Sequence, residues 1–350
     1  MKTQLTDKAK LALIKKTLNE SVESKGVAMD TAESWAGEDF IDTGMATTVL
    51  QKVRDADSLL SKLPTPFNMP TATWEIPTEW ADPTFYATSE NTAWPWTEYT
   101  ASNAWTGNIT LSAKKLTAIT YLSGELDEDS IVAIRPYVEQ KLAKAYIETL
   151  DKSIINGDTV TAATWNVNSD DGAPTAWLYY LHFDGLRKSA ITNSKTVNAG
   201  TLDSTDFRAA RKLLGRKWLN PSELLWILST DVYFKVLGLS QVETIEKFGG
   251  AATIVNGVLK AIDGIEVITN WDVPNTEADG KVSVTPWNNT LGTAILAYKA
   301  DIITWFKREH KTTVEYVPQL DQFRITAHTR FALKIRDTDS VAALINVTVA

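Results

Sequence analysis

The amino-acid sequence predicts an α+β fold, and three observations carry that prediction. From Gln322 to Arg336 apolar and polar residues alternate with a period of two, the pattern of a strand with one covered face. Leu224-Leu-Trp-Ile-Leu228 is apolar throughout and reads as a strand buried on both sides. Val138, Leu142, Ala145, Ile147, Leu150 and Ile154 recur at helical spacing over one long segment. At 350 residues the chain is long enough to bury a substantial core and to divide into two lobes.

Taken from the N-terminus, residues 5–24 predict a short helix with Leu11, Leu13, Ile14 and Leu18 as a thin apolar stripe. Residues 25–60 are polar and irregular and read as an extended arm. The next stretch is unusual. From Leu63 to Ala113 there is no Lys or Arg among the chain's 35, yet the window holds Trp74, Trp80, Trp94, Trp96 and Trp105 of its 13 tryptophans. It also holds six of the 12 prolines, and its only charges are Glu75, Glu79, Asp82, Glu90 and Glu98. Alternating pieces flank it, Thr73-Trp-Glu-Ile on entry and Asn108-Ile-Thr-Leu on exit, which predict two strands of a long hairpin with a Pro/Trp-rich far end.

Asp127-Glu-Asp-Ser places acidic residues where a helix begins, and Pro136 is expected at the first position of the long helix. Asn156-Gly157 ends that helix, giving about twenty residues and roughly 30 Å. Residues 159–176 read as loop. A helix over Phe207–Leu214 then leads to the apolar run at 224–228. Ser229 or Thr230 caps a further helix ending at Gly238. Strands are expected at Ile265–Ile268 and Ala294–Tyr298, which makes this part a mixed α/β lobe. The alternating stretch at 322–336 would form a strand of roughly 50 Å, far beyond ordinary strand length. Thr312–Val317 is its hairpin partner across a turn at Pro318–Asp321. One face of the long strand is apolar; the other carries Arg324, Arg330, Lys334 and Arg336.

Composition narrows the chemistry. There is no cysteine, which removes disulfides, thiolate metal sites and thiol nucleophiles together. The N-terminus is charged and lacks the apolar core of a signal peptide, and no apolar run approaches membrane-spanning length. A net charge of −8 argues against a chain that grips nucleic acid in its free form. His182, His310 and His328 are far apart in sequence and lack a second ligand at metal spacing. Neither a phosphate-binding loop nor a nucleophile elbow is present. Asp127, Glu128 and Asp129 are explained more economically as helix-start acids than as paired catalytic carboxylates. No cofactor, metal site or catalytic residue is therefore assigned. Exposed tryptophans remain compatible with a carbohydrate-binding platform.

Three stretches, in this order, resemble one family. They are Lys115-Leu-Thr-Ala-Ile-Thr-Tyr-Leu-Ser-Gly-Glu-Leu-Asp-Glu-Asp-Ser130 running into the helix that ends Leu150-Asp-Lys-Ser-Ile-Ile-Asn-Gly-Asp158; then Trp226-Ile-Leu-Ser-Thr-Asp-Val-Tyr-Phe-Lys-Val-Leu237 followed by Gly264-Ile-Glu-Val-Ile268; and Tyr298-Lys-Ala-Asp301 leading to Arg330-Phe-Ala-Leu-Lys-Ile-Arg-Asp337. The chain resembles the major capsid proteins of tailed bacteriophages (Caudoviricetes) of the Hong Kong 97 type, from about residue 60 onward. The resemblance implies an N-terminal arm at 1–60 and an extended β-hairpin loop at 72–113. It implies a peripheral domain with a spine helix and long sheet, drawn from 61–71, 114–175 and 300–345, and a mixed α/β axial domain at 176–299.

It further implies a non-enzymatic protein of the virion, assembled in the host cytoplasm as pentamers and hexamers of an icosahedral shell. That shell would enclose double-stranded DNA, contacted weakly, and no membrane is involved. A separate scaffolding protein, a portal and decoration proteins are the implied partners. In that setting the window at 63–113 has a physical rationale. Aromatic residues are enriched and lysine depleted where a segment is buried only by partners. Trp74, Trp80, Trp94, Trp96 and Trp105, with Glu90 and Glu98, become inter-subunit contacts, and Arg324, Arg330, Lys334 and Arg336 a basic strand face for the loop acids of a neighbour. Some family members join a loop lysine to a neighbour's asparagine; this loop has no lysine, so that bond is not expected. The arm is too short for a scaffold domain removed by cleavage, so none is expected. An encapsulin-like nanocompartment shell is the alternative within the same fold, and a Trp-rich carbohydrate-binding protein the alternative outside it.

Overall fold

The computed structural model describes residues 59–349 apart from 65–66, 88–99, 130–133, 163–164, 176–177, 240–241 and 243–258. The helix expected at 5–24 and almost all of the arm lie outside the described residues. Their last part differs from expectation: Leu59–Lys62 forms a helical turn, α1, with Leu59 fully buried. Asp151 anchors it by accepting hydrogen bonds from the Leu59 and Leu60 backbone N–H groups at 3.1 and 3.2 Å, which satisfies donors that a helix start leaves open.

The chain divides into two compact units. Among described residues, the smaller comprises 116–146 and 310–329. It contains most of β3 (Lys114–Ser123), α2 (Gly124–Asp129) and the first half of α3 (Ile134–Asn156). It also contains the hairpin end of β9 (Ile302–Val317) and β10 (Gln322–Ile335). The three strands form one sheet in the order β3-β10-β9. Leu122, Leu126, Ile134, Val138, Leu142, Ile325 and Ala327 make its core. The Arg135 guanidinium lies 3.8 Å above the Phe323 ring, covering the edge of that core with a cation–π contact. Asp321 takes a left-handed φ of 47° in the hairpin turn, and its carbonyl accepts from Gly124 N–H at 2.9 Å.

Two local expectations need correction here. Asp127 falls in the first turn of α2, as a helix-start acid should, but that helix begins at Gly124, three residues before the run Asp127–Ser130; its carboxylate pairs with Arg135. Pro136 is the third residue of α3, not the first. The position tolerates proline because none of the first four N–H groups of a helix has an intrahelical acceptor.

The larger unit comprises the remaining described residues. Its centre is a six-stranded sheet, ordered β4-β11-β8-β5-β7-β6, formed by β4 (Thr196–Asn198), β5 (Leu224–Leu228), β6 (Ala261–Ile262), β7 (Ile265–Thr269), β8 (Leu291–Tyr298) and β11 (Val341–Thr348). All five residues of β5 are buried, as its unbroken apolar sequence predicts, and each contributes about 1.5–3 kcal/mol of burial. Trp226 of β5 meets Phe207 edge-on at 5.1 Å. Phe207 belongs to α5 (Ser204–Lys212), which follows α4 (Leu186–Thr192). Ser229 caps α6 (Thr230–Leu237), its side chain accepting from Val232 N–H at 3.3 Å, and Gly238 closes that helix. β11 begins within the 300–345 segment and runs past it, and it joins this sheet, antiparallel to β8 and parallel to β4.

At the C-terminus of α3, Gly157 and Gly185 face each other. Gly185 N–H donates to Gly157 O at 2.8 Å, and a Cβ on either would come within 2.6 Å of backbone atoms of the opposing segment. Only glycine allows this approach.

Candidate assembly surface

The basic-free window forms a two-stranded antiparallel ribbon, β1 (Thr73–Ala81) with β2 (Trp105–Ser112). Trp74 faces Leu111 and Ile76 faces Ile109, so the alternating pieces pair as their sequences predict. Pro77 sits mid-strand opposite Asn108. Among the described residues the ribbon is anchored at its root: Trp74 and Ile76 pack against a buried group of Met69, Leu111, Ala113 and Ala332, with Ile303 and Trp305 alongside. The Trp74 and Trp305 rings meet edge-on at 6.3 Å. Beyond the paired strands, Ser102 Oγ accepts from Thr84 N–H at 2.8 Å and donates to Thr84 O at 2.9 Å, holding the two legs together.

Outward from that root the ribbon is bare. Trp105 is 68% exposed, Phe85 fully exposed and Tyr86 about half exposed. Its other face carries Glu75, Pro77 and Glu79, all exposed. A two-stranded ribbon is marginal on its own in water, and here it carries aromatic rings into solvent. Phe85 and Tyr86 escaped the sequence reading, which followed tryptophan; their place in the same basic-free window was the available signal. Of the other predicted contacts, Trp80 lies in β1, and Trp94, Trp96, Glu90 and Glu98 lie outside the described residues.

The four bases of the long strand do not form one free face. Arg324 pairs with Glu315 on β9, and Arg336 reaches the fully buried Asp301 at 2.6 Å. Asp301 also binds Lys217, and accepts from Ser340 Oγ at 2.5 Å. Arg330 and Lys334 make no ion pair among the described residues. The alternation itself breaks near the end of β10: Phe331, Ala332 and Leu333 are all buried. The cause is the group around Met69 and Leu111, which covers Ala332 from the nominally polar side. His328 donates or accepts at Thr117 Oγ1, 3.3 Å away on β3.

No compact catalytic constellation occurs among the described residues. Asp170, Glu277 and Asp279 bring carboxylates together, and Lys281 neutralises two of them, at 2.6 Å from Asp170 and 2.9 Å from Asp279.

Comparison with known proteins bears on this surface directly. The phage capsid family matches residues 37–173, a span that contains the ribbon, β3 and α3. The major capsid protein of Escherichia phage T5 is 22% identical over 207 residues, 59% of this chain. The match spans 40% of the length of that curated relative. Among solved structures, one from Mycobacterium phage Cain superposes with a TM-score of 0.60 at 15% identity, covering 87% of this chain and 94% of the other. A capsid chain of a native GTA particle gives 0.61 at 14% identity, covering 91% and 99%. The nanocompartment and carbohydrate-binding alternatives gain no support. Residues 37–173 thus match the phage capsid family, the chain is similar in sequence to the T5 major capsid protein, and it shares its fold with solved structures from phage and GTA particles.

Proposed function

We propose that this chain is the repeating subunit of an icosahedral head shell of the Hong Kong 97 type, and that the ribbon at 72–113 is the extended loop by which one copy overlies the next. In this reading residues 1–60 are the arm. Residues 61–71, 114–175 and 300–345 build the peripheral domain, and 176–299 the axial domain around the five-fold and quasi-six-fold axes. The role is structural, without catalysis or cofactor. The virion shell encloses double-stranded DNA after assembly in the host cytoplasm with a separate scaffolding protein and a portal. Free subunits bind DNA weakly and without sequence preference, as suits a net charge of −8.

The observation that carries this reading is a ribbon anchored, among the described residues, at its root, with Phe85 fully exposed and Trp105 mostly so. Burial of about 150–250 Å² per aromatic ring against a neighbour would supply the covering that the chain's own core does not. Negative-stain microscopy of the expressed protein, alone and with a scaffold from the same gene cluster, tests it. Closed shells of uniform size are expected; dispersed monomers under both conditions would contradict it.

A further inference from the structure

A cavity of about 390 Å³ opens in the larger unit where the end of β2, α4 and the end of β10 come together. Its wall carries Lys114, Lys188, Lys334 and His182, against a single carboxylate, Asp184. Two of these charged groups are already committed. Lys188 lies 3.3 Å from the fully buried Asp158, and Asp184 accepts from Thr159 N–H and Oγ1 at 3.1 and 2.9 Å. Lys114 and Lys334 make neither an ion pair nor a side-chain hydrogen bond among the described residues. Thr110, Ser112 and Asn193 add neutral donors around them.

Burial holds the His182 imidazole below its usual pKa, and the neighbouring Lys114 charge adds to the effect. With Lys188 paired to Asp158, Lys114 and Lys334 still outnumber Asp184, the one carboxylate in the wall, so the cavity keeps an excess of positive charge. Unpaired cations around donor hydroxyls favour an oxyanion. A space of this size admits one or two side chains, not a duplex. In a chain with net charge −8, carboxylates on another copy are the abundant match. The exposed acidic face of the ribbon offers them: Glu79 and Asp82 have no partner among the described residues. Glu75 accepts from Asn108 Nδ2 at 2.7 Å yet stays exposed.

We propose that this cavity is a carboxylate-binding socket, filled in the assembled particle by acidic side chains from the ribbon of a second copy. The partner assignment rests on the shell reading above; the anion preference of the socket does not. Of the two free lysines, sequence alone pointed only to Lys334, and as part of a strand face.

The chain has three histidines, so His182 is a practical reporter. The experiment uses unassembled full-length protein carrying ¹³C-labelled histidine, titrated with a synthetic peptide of residues 72–87, which bears Glu75, Glu79 and Asp82. The same peptide with all three acids amidated (E75Q/E79Q/D82N) and inorganic phosphate are the comparison probes. The acidic peptide is expected to raise the His182 pKa by about one pH unit, as a nearby opposite charge does. The amidated peptide is expected to leave it unchanged. In K114Q/K334Q, whose own baseline is measured first, the peptide-induced rise should disappear.

A response to phosphate alone would overturn the second-copy assignment, and an equal response to the amidated peptide would overturn the carboxylate chemistry. No response to any probe would overturn the socket altogether. Particle formation by wild-type protein is scored separately, so a failed socket within intact shells is distinguishable from a failure of the shell reading.

Discussion

The Arg187 guanidinium donates through Nη1 to Asn156 Oδ1 at 3.0 Å, from a position only 1% exposed. The same group donates to Asn168 Oδ1 at 3.0 Å and to the carbonyls of Val167 and Gly280 at 3.1 and 3.2 Å. One buried side chain thus ties the end of α3 to two loops far away in sequence. Burial pushes its pKa down to about 10, with Asp158 and Asp279 opposing the shift by their charge, so the group stays cationic at neutral pH.

Removing it would strand several buried acceptors. Arg187→Met is expected to destabilise the unassembled subunit by about 3–5 kcal/mol, the usual cost of emptying one side of a buried polar network. Arg187→Lys is expected to recover little, because an ammonium cannot reproduce the planar fork that meets both asparagines and both carbonyls. The shift in denaturant midpoint at unchanged slope measures both.

Acid should loosen the neighbouring loop through a different residue. Asp171 Oδ2 accepts from Ser283 Oγ at 2.6 Å and Oδ1 from Val284 N–H at 2.7 Å. The Ser283 bond, then the Val284 bond, hold its carboxyl below the usual range. A group whose pKa is lower folded than unfolded contributes stability above its unfolded pKa, near 3.9, and loses it as pH falls through the folded value. Wild-type melting temperature is therefore expected to fall more steeply than that of Asp171→Asn below about pH 4. Parallel profiles would show that the clamp adds nothing.

Much of this architecture was legible locally. Leu224–Leu228 announced a buried strand, Ser229 or Thr230 the cap that follows it, and the Trp74 and Ile109 neighbourhoods the two legs of the ribbon. Each signal lies within a few residues of what it specifies. What stayed hidden depends on residues brought together from distant parts of the chain. Arg187 looks like any helix cation until the loops at 166–168 and 280 close over it. The strand bases looked alike, yet Asp301 takes Arg336 and Glu315 takes Arg324. Asp127 marked a helix start to within three residues, but its sequence did not show that α2 begins at Gly124.

Two tryptophans should separate folding from assembly. Trp226 is 1% exposed in the sheet core, and Trp105 is 68% exposed on the ribbon. Trp226→Ala is expected to cost the subunit about 3–5 kcal/mol. Trp105→Ala is expected to stay within about 0.5 kcal/mol of wild type while sharply reducing particle yield. Thermal melting of unassembled protein and sedimentation of the assembly reaction give the two readings.

Mature particles should come apart into single chains. The window at 63–113 contains no amine, so the ribbon cannot supply a lysine for an isopeptide bond. Boiled particles on a denaturing gel are expected to show one band near 38.7 kDa. A ladder of multiples would mean that a lysine elsewhere joins neighbouring chains.

The most direct test is a cryo-electron microscopy reconstruction of purified particles at a resolution that traces side chains. The account predicts that Phe85 and Trp105 of each ribbon, exposed in the single chain, are covered by an adjacent copy. Particles in which those rings remain in solvent, or in which each ribbon folds back onto its own subunit, would contradict it.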